Sequence, residues 1–354
     1  MNDQSFNEEK FGELQGKVMG DVGGAIGLLM AFMGDQAGVY KAMEAAGPCT
    51  SDELATKTGV NARYLREWLS SNAASGYVNY NGSTDKFSLS PEQAALFAHD
   101  GEPTCMQGFF QAVVSQYEAH ETAVDVFKTG KPRAWSEQTP CCFCGTDRFF
   151  RPGYAANLVS SWIPALEGVE AKLKDGAKIA DIGCGHGSST ILMAESFPNS
   201  VVHGFDFHGP SIEEARAKAA KANLTNIEFH EVAAKDFTEK DFDFACIFDA
   251  LHDMGDPVGA AAHIKASLKP DGTFMIVEPL AGDSLEENLH LLGAIFYGFS
   301  TTICVPTSRA QEVGLALGAQ AGQKKLSGVL LEAGFGHVRR ATETPTNMVL
   351  EARL

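Results

Sequence analysis

The sequence predicts an α/β chain, a doubly wound domain in the C-terminal half behind a smaller α-helical domain that ends in a two-stranded wing. Three observations predict it. Lys178-Ile-Ala-Asp-Ile-Gly-Cys-Gly-His-Gly187 is a short apolar strand that runs into a glycine-rich turn. A second strand, Val201-Val-His-Gly-Phe205, ends in Asp206, about twenty residues beyond that turn. Two short helical patterns followed by a hairpin pattern occupy residues 50–90.

The N-terminal elements follow from local chemistry. An apolar helix is expected from Gly24 to Ala45, followed by Gly47-Pro-Cys-Thr-Ser-Asp-Glu-Leu-Ala55, in which Thr50 and Glu53 have the spacing of a capping box. A short helix, the turn Thr58-Gly-Val, a second helix from Asn61 to Ser75 and a hairpin (Gly76–Tyr80, the turn Asn81-Gly-Ser, Lys86–Ser90) complete a winged helix. Such a unit serves either to bind DNA or to dimerise. DNA binding draws on cations facing phosphates. The second helix offers only Arg63 and Arg66, offset by Glu67, in a chain of net charge -17. Dimerisation is therefore the expected role, and a ligand-responsive regulator the competing one.

In the C-terminal half, Gly183, Gly185 and Gly187 allow a sharp turn and close approach of backbone to a ligand at the start of a helix, Ser188 to Ser196. Asp206 is placed to accept from both ribose hydroxyls of a nucleoside. A dinucleotide fingerprint wants a third glycine where this chain has Ser188, and the spacing is Asp-x-Gly-x-Gly-x-Gly from Asp181. That pattern suits a cofactor with an ammonium group and no pyrophosphate; a plain strand-to-helix turn in another doubly wound domain is the competing reading. Thr225–Val232 reads as a third strand and Asp241–Asp249 as a fourth. A helix over Pro257–Leu268, the turn Lys269-Pro-Asp-Gly272 and a fifth strand Phe274–Glu278 follow.

Composition adds bounds. A chain of 354 residues, 44% hydrophobic, can bury a large core and suggests two domains. The longest apolar run, Val22 to Met33, falls short of the roughly 18 residues of a membrane span. No basic-then-apolar leader opens the chain, and eight cysteines in a chain this long fit reduced thiols. A cytoplasmic protein without membrane or nucleic-acid partners is expected.

The glycine pattern, with the ordered strands and the acids at their ends, resembles motif I and the core of the class I S-adenosylmethionine-dependent methyltransferases. Leu251-His252-Asp253, Val277-Glu-Pro279, Cys304-Val-Pro306, Leu317–Gly322 and Ala333-Gly-Phe335 resemble a bacterial winged-helix group related to small-molecule O-methyltransferases, over roughly residue 20 to the end. The resemblance implies a Rossmann-like domain with a seven-stranded sheet over 166–354, a winged-helix dimerisation domain over 1–100, and a helical linker over 101–165 that contributes to the substrate pocket. It implies S-adenosyl-L-methionine as cofactor, S-adenosyl-L-homocysteine as product, a homodimer, and methyl transfer to oxygen or sulfur of a small molecule. Nitrogen methylation and a cofactor-binding regulator are the alternatives.

The expected cofactor residues are Asp181, Gly183, Cys184, Gly185, Asp206, Phe207, Ala234, Lys235, Asp236, Phe248 and Asp249. Asp236 would border adenine; Phe207 would lie against it or belong to the core; Asp249 would face the methionine end or cap the next turn. His252, with Asp253, would be the catalytic base, or a residue packed under the methionine moiety. No metal is expected. Tyr297, Cys304 and Trp162 are candidate substrate contacts. Cys142 and Cys144, in a Cys141-Cys-Phe-Cys144 run read as a loop, are further ones, with incidental, redox and metal roles open.

Overall fold

The computed structural model describes residues 6–354, which form two compact units. The first comprises the chain up to Tyr117 together with Cys141–Pro152; the second comprises Glu118–Pro140 and Gly153–Leu354.

In the first unit, helix α1 runs over Glu8–Gln36, its N-terminus capped by Asn7 Oδ1 accepting from the Lys10 N–H at 2.9 Å. The helix expected over Gly24–Ala45 is thus two helices. Gly38 adopts φ +67, a left-handed conformation that breaks the chain before α2 (Val39–Ala46). Six of the seven glycines inside α1 do not disturb it, and Gly34 is required by packing: a Cβ there would lie 2.2 Å from the Trp68 ring. Helix α3 (Ser51–Thr58) carries the expected capping box, Thr50 N–H donating to Glu53 Oε2 at 2.8 Å and Glu53 N–H to Thr50 Oγ1 at 3.2 Å. Helix α4 (Ala62–Ala74), the hairpin β1 (Asn79–Asn81) and β2 (Lys86–Ser88), and α5 (Pro91–Phe97) complete the winged helix. Its core is Tyr40, Met43, Leu54, Leu65, Leu69 and Phe87, all within 1% of full burial. Each such side chain contributes on the order of 1.5–3 kcal/mol.

Helix α6 (Gln107–Glu118) is followed by α7 (His120–Thr129) and α8 (Pro140–Asn157). The cysteine run expected as a loop lies inside α8. Its small residues form a contact face: a Cβ on Gly145 would lie 2.6 Å from the Ala112 backbone, and one on Gly108 would lie 2.4 Å from that of Arg148. The backbones approach too closely there for larger side chains. The three thiols accordingly do not converge, since Cys142 is buried, Cys141 half-buried and Cys144 exposed.

The second unit is a seven-stranded sheet of order β5-β4-β3-β6-β7-β9-β8. Its strands are β3 (Lys178–Ile182), β4 (Val201–Asp206), β5 (Ile227–Glu231), β6 (Phe242–Phe248), β7 (Leu268–Pro279), β8 (His337–Glu343) and β9 (Asn347–Arg353). Strands β3 to β7 pair in parallel and β9 runs antiparallel to both neighbours. Helices α9 (Val169–Asp175), α10 (Ser188–Ser196), α11 (Gly209–Lys221), α12 (Pro257–Ser267), α13 (Leu291–Phe299), α14 (Val305–Arg309) and α15 (Gly322–Glu332) accompany it. The expected turn at 269–272 is a bulge within β7, because Phe242 pairs with Leu268 but Phe244 with Thr273. The chain goes from β3 to β4 on one side and later to β6 on the other, so the strand order reverses at β3, where ligands of open α/β sheets bind beyond the carboxyl ends.

Continuous helix makes Glu8–Gln36 and Leu291–Arg309 long and apolar enough, by length and composition, to cross a membrane, each with a mean hydropathy of 1.3. The apolar run read as Val22–Met33 is only part of the first.

Candidate active site

The glycine turn after β3 is held against the end of β4. Gly183 and Cys184 N–H groups donate to the Phe205 carbonyl at 2.8 and 3.1 Å, and Gly183, Gly185 and Gly187 all have positive φ. A Cβ at Gly187 would lie 2.8 Å from both Ala215 and Phe229, whereas one at Gly185 would meet nothing within 4 Å. Gly187 is therefore needed for packing and Gly185 keeps a space open.

Asp206 spans that turn. Its Oδ2 accepts from Gly185 N–H at 2.9 Å and its Oδ1 from His208 N–H at 2.8 Å. Each oxygen retains a lone pair, so a fixed carboxylate can still accept one ribose hydroxyl on each side. Burial raises its pKa, against the opposing backbone donors. Phe207 is 50% exposed, which removes the core reading and leaves a ring face available.

Asp181 does other work. It is fully buried, and its Oδ2 accepts from Ser189 Oγ at 2.6 Å and Thr190 Oγ1 at 2.7 Å, tying β3 to the first turn of α10. Burial lifts this carboxyl to about 6 although both hydroxyls oppose the shift. Beside it, Cys184 is buried and packs with Ile212, Ala215 and Phe229. After β5, Ala234 packs on the core, Asp236 closes a turn through its N–H to Ala233 O at 3.0 Å, and Lys235 is engaged by Asp256 and Glu312 at 3.0 and 2.9 Å.

At the end of β6, Asp249 has φ +48, a left-handed backbone that only surrounding contacts can hold. Those contacts are Tyr154 Oη donating to Oδ2 at 3.1 Å and Asn347 Nδ2 donating to Oδ1 at 2.8 Å, rather than the turn cap that is one of its two expected roles. Burial, reinforced by the Glu278 charge, pushes Asp249 up to about 8. Phe248, next to it, packs on Tyr154 and Trp162 with ring centroids 5.1 and 6.3 Å apart. Trp162 is 1% exposed and its Nε1–H is buried with no hydrogen-bond partner among the described residues, leaving a donor that a bound group can use.

His252 lies in a 3-10 turn, Leu251–Asp253, and is organised by a residue the sequence reading did not single out as catalytic. Glu278, 1% exposed at the end of β7, takes Leu251 N–H and His252 N–H on Oε1 at 2.9 and 3.3 Å, while its Oε2 meets His252 Nδ1. The other ring nitrogen, Nε2, has Asp253 Oδ1 at 3.2 Å and the Cys304 thiol beside it. Burial pulls the imidazole down, but the Glu278 and Asp253 carboxylates outweigh it and the net shift is well upward. Burial also raises Cys304, with Asp253 adding to it, to about 12, so this thiol stays protonated at neutral pH. The signal for Glu278 was present in the sequence: a lone carboxylate closing the apolar strand Phe274-Met-Ile-Val.

Asp181, Asp206, Asp249, His252, Trp162 and Cys304 thus belong to one unit, at or near the carboxyl edge of one sheet, with Tyr297 on α13 partly exposed. Cys142 and Cys144 belong to the other unit.

The glycine turn with its open side at Gly185, the oriented Asp206 acceptor and the Phe207 ring fit a nucleoside. The buried carboxyl of Asp249 and the open Trp162 donor fit an amino-acid moiety. S-adenosylmethionine has both parts. Comparison with known proteins agrees. A methyltransferase domain family matches residues 173–314, and an Rv2258c-like winged HTH domain matches residues 24–99. A ubiquinone biosynthesis O-methyltransferase of Neisseria meningitidis is 29% identical over 128 residues, 34% of this chain and 51% of that protein. The chain spans about half the length of these curated relatives. The mitomycin 7-O-methyltransferase MmcR superposes with a TM-score of 0.74 at 19% identity, over 98% of this chain and 100% of its own. Human N-acetylserotonin methyltransferase, solved with S-adenosylmethionine, superposes with a TM-score of 0.73 at 15% identity, over 100% of this chain and 99% of its own. Sheet order, glycine turn, strand-end acids and both domain matches agree: residues 173–314 belong to a methyltransferase domain, behind a winged helix at 24–99, and the chain has the fold of the S-adenosylmethionine-dependent methyltransferases.

Proposed function

We propose that the protein methylates a hydroxyl of a small molecule, with His252 as the general base. The observation that carries this reading is the Glu278–His252 pair. A hydroxyl needs its proton removed as it attacks, whereas a thiol, with a pKa of about 8.5, ionises without much help. An imidazole whose Nδ1 is committed to a buried carboxylate presents Nε2 as a strengthened base, an arrangement wasted on sulfur. S-adenosylmethionine, when bound, supplies an electrophilic methyl group on a sulfonium. The chain's residues orient the reactants and keep water away. Gly183 and Gly185 with Asp206 hold the nucleoside end, and Phe248, Tyr154 and Trp162 wall the site with apolar surface. Nε2 then takes the proton from the acceptor oxygen, and Glu278 stabilises the imidazolium that forms.

The acceptor is a neutral or cationic small molecule rather than nucleic acid. The net charge is -17, and both arginines of α4 are already paired, Arg63 with Glu67 at 2.5 Å and Arg66 with Asp85 at 2.8 Å. The same pairings argue against a DNA-binding regulator. We read the winged-helix unit as a dimerisation module, because α1 leaves Phe11, Leu14, Val18, Val22, Ile26 and Met33 at least 49% exposed. A Cβ on Gly12, Gly16, Gly20 or Gly24 would meet nothing within 4 Å among the described residues, which leaves that row open to a second copy. Eight cysteines with no disulfide between any two of them fit a cytoplasmic setting.

Turnover of a panel of phenols, alcohols, thiols and amines tests the reading. Hydroxyl acceptors should turn over and should lose about a hundredfold or more in His252→Ala with S-adenosylhomocysteine affinity retained. Turnover confined to amines or thiols, undiminished in that variant, would overturn it. Light scattering should give a dimer that Leu14→Asp with Val18→Asp converts to monomer.

A further inference from the structure

Strand β5 is the edge of the sheet, and on the face it shares with β4 it carries a second cluster that the methyl-transfer chemistry does not use. His203 pairs in register with Glu228, and Phe205 with His230, so these four side chains project from the same face of two adjacent strands. His203 Nδ1 lies 3.1 Å from His230 Nε2 and 3.6 Å from Glu228 Oε2, and His230 Nε2 lies 3.8 Å from the same carboxylate oxygen. His203 is 7% exposed, and Glu228 reaches the surface.

We propose that His203, His230 and Glu228 form a binding site for a borderline divalent cation of the zinc class. The three atoms are already spaced as ligands. Tetrahedral zinc with bonds of about 2.0–2.1 Å places its ligand atoms about 3.4 Å apart. A circle through three atoms separated by 3.1, 3.6 and 3.8 Å has a radius of about 2.0 Å, so an ion near its centre makes bonds of ordinary length without rearrangement. Two imidazoles and one carboxylate suit zinc, nickel or copper rather than magnesium or calcium. The surroundings are those of a ligand set. Glu239 Oε1 stands 3.7 Å from His230 Nδ1, the ring nitrogen left over, so a small side-chain shift would let it accept from that nitrogen as outer carboxylates do behind metal-bound histidines. Phe205 stacks under His230 with centroids 4.8 Å apart, and Phe242 meets His203 edge-on at 5.7 Å, fixing both rings. With three protein ligands and an exposed carboxylate, the fourth position is open to water. An ion here would clamp edge strand β5 to β4.

This inference is independent of the acceptor proposed above, and zinc binding tests it without any turnover. The full chain, free of any polyhistidine tag and stripped with chelator, is titrated with Zn2+ against a chromophoric chelator, with melting followed in parallel. One equivalent per chain with micromolar or tighter affinity and a raised melting temperature is expected. His230→Gln and Glu228→Gln, both at partly or fully exposed positions, should each weaken binding at least tenfold and abolish the thermal shift, while Cys304→Ser leaves both unchanged. Failure to bind one equivalent, or binding that survives both strand substitutions, or binding lost only in Cys304→Ser, overturns the site.

Discussion

Replacing Glu278 by Gln is the sharpest perturbation of the proposed chemistry because it keeps shape and removes one proton relationship. The amide oxygen can keep accepting from Leu251 and His252 N–H, so the 3-10 turn stays in place. The amide nitrogen then faces His252 Nδ1, and two donors cannot share that contact. Nδ1 must become the acceptor, the ring proton moves to Nε2, and the atom facing the acceptor loses its lone pair. The reverse amide orientation would set NH2 against two backbone N–H groups. A general base is worth about 10²–10⁴ in rate, so kcat for a hydroxyl acceptor should fall by about that factor, or roughly 3–5 kcal/mol at 1.36 kcal/mol per decade. S-adenosylhomocysteine affinity by calorimetry should stay within a few fold. A pH profile gives a second readout: the native carboxylates raise His252, so the native rate climbs through a pKa above the ordinary imidazole value, and residual activity of the variant should lose that limb. Glu278→Gln turning over within threefold of native, or losing cofactor affinity as steeply as kcat, would refute the base assignment.

Other expectations follow from the same geometry. Asp206→Ala should cost S-adenosylhomocysteine binding about 1–3 kcal/mol, read by calorimetry, since two acceptor positions disappear. Gly185→Ala and Gly187→Ala should separate function from stability. Both have positive φ, but Gly187→Ala also drives a Cβ against Ala215 and Phe229, so it should destabilise the fold further, by about 1–3 kcal/mol from overpacking and seen as a lower melting temperature, while Gly185→Ala mainly loses cofactor affinity. Burial holds the Asp249 carboxyl up at about 8, so its contribution is full below the unfolded value near 4 and is lost as pH rises through 8. Melting curves of Asp249→Asn and native protein should therefore diverge in favour of the variant between pH 5 and 9; parallel curves would show that the acid is not protonated in the fold.

Much of the chain was legible because its signals are local. Glycine turns, a capping box and apolar strands ended by acids depend on neighbours a few residues apart, so α3, α4, the wing and strands β3 to β6 lie where periodicity and turn residues put them. Reading failed where a long-range contact decides. The Cys141–Cys144 run has no helical periodicity of its own, yet Gly108 and Gly145 let α6 and α8 approach, and packing makes it helix. Gly38 reads no differently from the glycines that α1 tolerates until its φ of +67 is seen.

By itself the sequence determined a two-part α/β chain, its glycine turn, Asp206 at the second strand end and His252 beyond the fourth. Only the tertiary structure decided what those residues face. It turned Asp181 inward onto Ser189 and Thr190, bound Lys235 to Asp256 and Glu312, and set Glu278 behind His252 and Asn347 beside Asp249. It also brought His203 to Glu228 and His230. The reason is physical: a backbone conformation is chosen by neighbours in the chain, but the charge, protonation and reach of a side chain are set by groups that register across strands brings close from 25 to 100 residues away.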